Sequence, residues 1–135
     1  MSVVFADTFY WIAFTNLQDA AHKRAKALGL ERASIVTTEE VLIEYLNYFA
    51  AWGPNFRLKS SANVEEIMKN PMVHVVEQTP ASFLTGLDLY RTRPDKGYSL
   101  TDCISMQTMR NNGLTDALTN DRHFEQEGFH VLFRE

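Results

Sequence analysis

Apolar and polar positions fall into blocks along this chain. Val3-Val4-Phe5-Ala6, Ser34-Ile35-Val36, Val73-His74-Val75-Val76, Ala117-Leu118-Thr119 and Val131-Leu132-Phe133 are short, nearly continuous apolar runs. A strand with one wet face would alternate, so such runs predict strands covered on both faces. Longer segments with helical spacing lie between them. A segment near Phe9–Phe14 is followed by a helix expected from Asp19 to Leu28, stopping at Gly29 as a C′ residue. Thr37 opens a helix running to about Trp52, broken by Gly53-Pro54, and a shorter helix is expected near Ser61–Lys69. Thr79-Pro80 starts a helix to about Tyr90, and Ser99 caps another over about Leu100–Asn112, closed by Gly113. His123–Gln126 reads as a turn of helix before the last strand.

Strands alternating with helices predict an α/β fold with a parallel sheet covered on both faces. Helices in such a fold run antiparallel to the strands. Their N-termini therefore gather at the carboxyl edge of the sheet, where ligand sites form. That edge collects four acids from distant positions. Asp7 follows the first strand, and Asp121 follows the fourth across Asn120. Asp102 lies in the first turn of the helix capped by Ser99, and Glu44 in the second turn of the helix opened by Thr37.

Each acid also has a local explanation. Asp7 suits a helix cap, Asp102 a capping-box acid three residues after Ser99, and Asp121 an Asx-turn. Asp102, however, is the only charge between Leu100 and Met109 and shares a face with Met106 and Met109, where an acid needs a partner. Glu40 fits the box Thr37-Thr38-Glu39-Glu40, whereas Glu44 is too deep to cap and borders Val41, Tyr45 and Tyr48. Glu44 is therefore assigned to the site and Glu40 to structure. Four carboxylates at one edge repel one another unless protons or cations offset them, and hard divalent cations, Mg²⁺ or Mn²⁺, are the natural partners of oxygen ligands.

Composition narrows the class. The chain has 135 residues, 45% hydrophobic and 22% charged, enough for a packed core; residues 1–135 read as one domain without repeats or low-complexity runs. One Cys supports neither an internal disulfide nor a Cys-rich zinc site, which fits a reducing cytoplasm. No 18-residue apolar run or signal-type start is present, so no membrane role is expected. The formal charge of −4 argues against holding nucleic acid by bulk positive charge. Set the four candidate acids aside, and thirteen acids of the seventeen remain against thirteen bases. The excess is then the cation site itself, which two divalent ions would neutralise.

These blocks resemble the PIN-domain nucleases. Asp7-Thr8 after an apolar strand, Val41-Leu42-Ile43-Glu44-Tyr45-Leu46-Asn47, Ser99-Leu100-Thr101-Asp102-Cys103-Ile104-Ser105 and Ala117-Leu118-Thr119-Asn120-Asp121-Arg122-His123-Phe124 carry the resemblance, and Gly128-Phe129-His130-Val131-Leu132 closes it. It spans essentially the whole chain, whose length matches the single-domain VapC-type toxins. The resemblance implies a three-layer α/β/α sandwich with a five-stranded parallel sheet of order 3-2-1-4-5, and one or two Mg²⁺ or Mn²⁺ ions held by Asp7, Glu44, Asp102 and Asp121. It also implies Thr119 as a supporting hydroxyl, hydrolysis of RNA, a homodimer and a small antitoxin partner. Ile43 and Tyr45 depart from the Ala and Leu that often flank the family's glutamate.

Basic residues near this edge, Arg91, Arg93, Lys96 and Arg122, are candidates for RNA phosphate, and Tyr98 or Phe9 for base stacking. Cys103 reads as core, and for His123 a surface role is favoured over a phosphate contact. A DNA nuclease or another metal-dependent phosphoesterase would use the same acids. A catalytically silent PIN domain is disfavoured because all four acids are present. A response-regulator-like module is discounted, because Glu77-Gln78 follows the third strand and no Lys lies beyond Lys96.

Overall fold

Five strands, β1 (Val3–Ala6), β2 (Ser34–Thr38), β3 (Val73–Val76), β4 (Asp116–Leu118) and β5 (His130–Val131), form one sheet of order β3-β2-β1-β4-β5 in a computed structural model that describes residues 2–30 and 34–133. Every pairing is parallel, with Phe5 opposite Val36 and Ala117, and Ala6 opposite Leu118. The central strand is the driest: Val4, Phe5 and Ala6 have no solvent exposure, as expected where both faces are covered.

Among the described residues, seven helices connect the strands: α1 (Thr8–Thr15), α2 (His22–Leu30), α3 (Glu39–Phe49), α4 (Pro54–Lys69), α5 (Pro80–Thr92), α6 (Leu100–Asn111) and α7 (Arg122–Gln126). Right-handed crossovers put α1 to α4 on one face and α5 to α7 on the other. The packing agrees, with α1 against α2 and α3, α3 against α4, and α6 against α5 and α7. Tyr45, Phe49, Met106, Met109, Leu118 and Phe124 fill the two interfaces, each burial stabilising by roughly 1.5–3 kcal/mol. The chain leaves β1 toward β2 and β3, then returns to the other side of β1 with β4. The crevice at the carboxyl ends of β1 and β4 is thus the point where strand order reverses, the usual location of an α/β site.

Three helix boundaries differ from the sequence expectation. The helix assigned to Asp19–Leu28 is α2, which starts at His22 and passes through Gly29. Gly29 is there because a Cβ would collide with Tyr10 Oη, so the glycine serves close approach and not termination. The helix expected from Ser61 begins at Pro54, with Gly53 as N-cap and Pro54 in the first turn. Gly53-Pro54 therefore starts α4, consistent with proline's preset φ, and lies beyond the end of α3 at Phe49. At this junction Phe49 stacks on Phe56 at 5.3 Å, and Trp52 packs edge-on against both.

The third difference concerns the cap of α3. Thr38, not Thr37, is the N-cap, accepting the Val41 amide at 3.0 Å. Thr37 belongs to β2, where its hydroxyl donates to the Ala6 carbonyl at 2.9 Å and accepts from Trp11 Nε1 at 3.3 Å. The box Thr37-Thr38-Glu39-Glu40 does not form, so capping does not explain Glu40. Two adjacent threonines left the register open by one residue. The sheet decided it, because the Thr37 hydroxyl faces β1.

Candidate active site

Asp7, Glu44, Asp102 and Asp121 come from four separate elements. Asp7 stands between β1 and α1 in the N-cap position, yet its side chain makes no capping bond. It is 6% exposed and its Oδ2 accepts the Thr119 hydroxyl at 2.9 Å. The Thr119 hydroxyl also accepts the Asp121 amide at 3.2 Å, so one buried threonine ties the end of β1 to the loop after β4. Thr8, directly after Asp7, donates its hydroxyl to the Glu44 carboxylate on α3. Asp102 is both a site acid and a capping-box acid. Its amide donates to Ser99 Oγ at 3.0 Å, and its Oδ2 accepts the Ser99 amide at 3.2 Å. The helices carrying Glu44 and Asp102, α3 and α6, are in direct contact.

Asp121 caps α7, its Oδ1 accepting the His123 amide at 2.9 Å. The local explanations for Asp102 and Asp121 thus coexist with convergence, since a carboxylate offers more lone pairs than one cap consumes. Exposure rises across the cluster. Asp7 lies at its floor, and the Asp102 and Asp121 side chains are 13% and 32% exposed. The site is therefore open toward solvent on the Asp121 side.

The electrostatics follow from burial and mutual repulsion. Burial pushes the Asp7 carboxyl up to about 7, helped by the charges of Asp102 and Glu44 and opposed by the Thr119 hydrogen bond. Asp102 is also raised, first by burial and then by Asp121 and Glu44. Among the described residues, no Lys or Arg forms an ion pair with any of the four acids. Such acids either take up protons or wait for a cation. The donor set fits a divalent cation, and ligand atoms of Asp102, Asp121 and His123 lie within 4.8 Å of one another.

His123 is the residue that sequence reasoning undervalued. It is one-third exposed at the mouth of the cluster, with Nδ1 3.5 Å from Asp102 Oδ2 and 3.3 Å from Asp121 Oδ1. The signal was its position two residues after Asp121, where an Asx-turn folds the chain back on the acid. Thr8, which in the sequence is only Asp7's neighbour, likewise engages Glu44. Tyr98 and Phe9 do not offer the exposed rings expected for stacking. Tyr98 is buried with its ring 5.2 Å from His123, and Phe9 packs edge-on against Phe133 at 4.9 Å. Cys103 is fully buried, and burial raises its thiol to about 11, in line with a core role.

The basic residues divide. Arg93 does not face the acids as a free cation: Nε and Nη2 each donate to the Glu127 carboxylate at 3.0 Å. Arg91 pairs with Asp88 at 2.6 Å on the exposed face of α5. Lys96 is half-buried one residue before Gly97, which at φ +70° turns the chain so that its α-carbon faces His123 Nε2. Arg122 is exposed directly after Asp121. A cavity of about 710 Å³ lies elsewhere, at the amino ends of β2 and β3, lined by Tyr10, Trp11, Asn63 and Met72 among others and by none of the four acids. The four acids lie instead at the carboxyl edge of the sheet, after β1 and β4, in the second turn of α3 and in the first turn of α6.

The PIN domain family model matches residues 4–129. The 23S rRNA-specific endonuclease VapC20 of Mycobacterium tuberculosis is 27% identical over 94% of this chain and 95% of its own length. The crystal structure of that VapC20, a toxin cleaving the Sarcin-Ricin loop, superimposes with a TM-score of 0.83 over 95% of this chain and 96% of its own. The structure of VapBC2 from Rickettsia felis, bound to a DNA fragment from its promoter, matches 96% of this chain and 97% of its own. Its TM-score is 0.66 and its identity 11%, a likeness of fold alone.

Proposed function

The chain belongs to the PIN-domain family, and from that premise we propose that it is a divalent-cation-dependent endoribonuclease, the toxin of a toxin–antitoxin pair, acting in the cytoplasm. One observation carries the reading: acids from four elements converge at the strand-order reversal with no Lys or Arg ion pair among the described residues, and the deepest of them is pushed up to about 7. Asp7, Glu44, Asp102 and Asp121 are the proposed ligands of one or two Mg²⁺ or Mn²⁺ ions. A cation held there supplies a lowered pKa for an attacking water and charge to offset that building on the phosphoryl oxygens.

The chain's own residues do the positioning. Thr119 fixes Asp7 against rotation, Thr8 fixes Glu44, and Ser99 holds Asp102 at the first turn of α6. Glu44 is preferred over Glu40 because its carboxylate engages Thr8 and its charge bears on both Asp7 and Asp102. Lys96 and Arg122 flank the mouth and are the proposed phosphate contacts, with Arg91 further out; Arg93 is committed to Glu127. The likeness to VapC20 makes large ribosomal RNA the first substrate to test.

A homodimer and a small antitoxin complete the proposal. Half-exposed apolar side chains such as Tyr48 and Trp52, in mutual contact at the end of α3, support a protein partner. The test is cleavage of ribosomal and other structured RNAs with and without Mg²⁺ or Mn²⁺. Divalent-dependent cutting that EDTA abolishes is expected. Wild-type protein that binds RNA but cuts nothing with either ion would make it a silent PIN domain. Growth arrest on expression, relieved by a neighbouring gene's product, tests the toxin assignment.

A further inference from the structure

We propose that His123 is itself a cation ligand through Nδ1, making the Asp102–Asp121 corner a mixed nitrogen–oxygen subsite that prefers Mn²⁺ to Mg²⁺. The inference rests on the cation-dependent reading above and adds a ligand and a selectivity to it. His123 Nδ1 is a buried nitrogen with no hydrogen-bond partner, although two carboxylate oxygens lie 3.3 and 3.5 Å away. An imidazolium bridging the two acids would aim its Nδ1–H at one of them. Here neither contact has that alignment, and Asp121 Oδ1 already accepts the His123 backbone amide at 2.9 Å.

The separations suit a shared ion. Two ligand atoms each about 2.1 Å from one cation and subtending about 90–110° lie about 3.0–3.4 Å apart. The ring is held for this role by Tyr98, whose centroid is 5.2 Å away, while Nε2 points toward the open side of Gly97. Ligation would use the neutral tautomer with its proton on Nε2, a proton that a ligating histidine normally donates outward. Mg²⁺ demands oxygen ligands and retains its waters, whereas imidazole nitrogen suits first-row transition ions. Asp7, at the floor of the cluster, and Glu44 offer only oxygens. His123 therefore distinguishes the outer corner from the inner one.

The test loads the full-length protein with Mn²⁺ alone and records pulsed electron paramagnetic resonance, alongside competitive titration of Mn²⁺ against Mg²⁺. Wild type is expected to show ¹⁴N coupling from a directly bound imidazole. In His123→Phe, which keeps a ring against Tyr98 while His22, His74 and His130 remain, the coupling should vanish and the Mn²⁺ over Mg²⁺ preference fall by about tenfold. Circular dichroism checks the variant's fold, and His123→Leu, expected to lose the same coupling, is the second variant should His123→Phe fail to fold. Mn²⁺ binding that requires Asp102 yet shows no ¹⁴N coupling overturns this inference and leaves the parent reading standing. Mn²⁺ binding that is absent, or unchanged by Asp7→Asn and Asp102→Asn, overturns both.

Discussion

Two buried acidic groups, one near each end of this chain, behave in opposite ways. Glu127, after α7, has a side chain only 5% exposed. Burial alone would raise it, but hydrogen bonds from Arg93, Arg110 and the Tyr98 hydroxyl bring it down to about 2. Its oxygens take two 3.0 Å bonds from Arg93, one of 3.0 Å from Tyr98 and one of 2.6 Å from Arg110. Asp7, buried at the floor of the cluster, receives one threonine hydroxyl, faces other carboxylates and rises to about 7. The first acid is satisfied from within and fastens the loop before α6 to the end of α7. The second is left short of positive charge, so a cation from outside is what its surroundings lack. A buried acid with internal guanidiniums reads as structure, and one among other acids reads as function.

The largest effect that would sharpen this contrast comes from Asp7→Asn and Asp102→Asn. Both should lower divalent-dependent RNA cleavage by roughly 10²–10³-fold or more. Asp7→Asn should at the same time raise the melting temperature in EDTA, because it removes a charge buried against like charges. A fall in stability in place of that rise would show Asp7 to be a structural acid like Glu127.

Glu127→Gln should do the reverse. Loss of the carboxylate leaves Arg93 and Arg110 without their partner and should cost about 2–4 kcal/mol in urea denaturation, tempered because both guanidiniums are more than one-third exposed and can hydrate. Cation affinity measured calorimetrically on the folded variant should change far less than in Asp102→Asn.

Acidity separates the two groups next. Asp7 has a folded-state pKa above its ordinary 3.8, so its cost is absent below about that pH and grows as the pH rises toward 7. Metal-free protein should lose stability over that interval, and saturating Mn²⁺ should cancel the loss by binding the ionised form. Glu127 lies below its ordinary 4.5, so its contribution is complete above that value and disappears as the pH falls toward about 2. Thermal melts across both windows, with EDTA and with Mn²⁺, read the two arms independently. An Asp7 arm, between pH 3.8 and about 7, that Mn²⁺ leaves unchanged would argue that no ion meets Asp7.

The smallest expected effect is the most selective. Glu40→Gln should leave cleavage within about twofold, whereas Glu44→Gln should lower it by at least about tenfold. Equal losses from both would widen the site by one helical turn.

Much of this was legible in the residues. Continuous apolar runs marked the five strands, although burial on both faces holds for the central strand and not for edge strand β3, where His74 is exposed; parallel topology sends Asp7, Glu44, Asp102 and Asp121 to one edge whatever the details of packing. Boundary errors arose where one residue type serves two purposes. Gly29 looks like a helix stop but is a point of contact with Tyr10, and Pro54, which looks like a helix breaker, starts α4. Arg93 and Tyr98 precede Asp102 in a polar loop and so read as substrate contacts, yet their partner Glu127 is some thirty residues away in sequence.

What the sequence determined by itself is periodicity, and through it the identity of the strands and the edge on which the acids meet. Periodicity is a local property carried by neighbouring positions. Which charges are neutralised is not local. Only the tertiary structure decided that Arg93 and Arg110 go to Glu127, that Thr119 goes to Asp7, and that His123 turns between Asp102 and Asp121. Burial makes each of those pairings decisive, because in a low-dielectric interior an acid's state is set by the few groups that touch it.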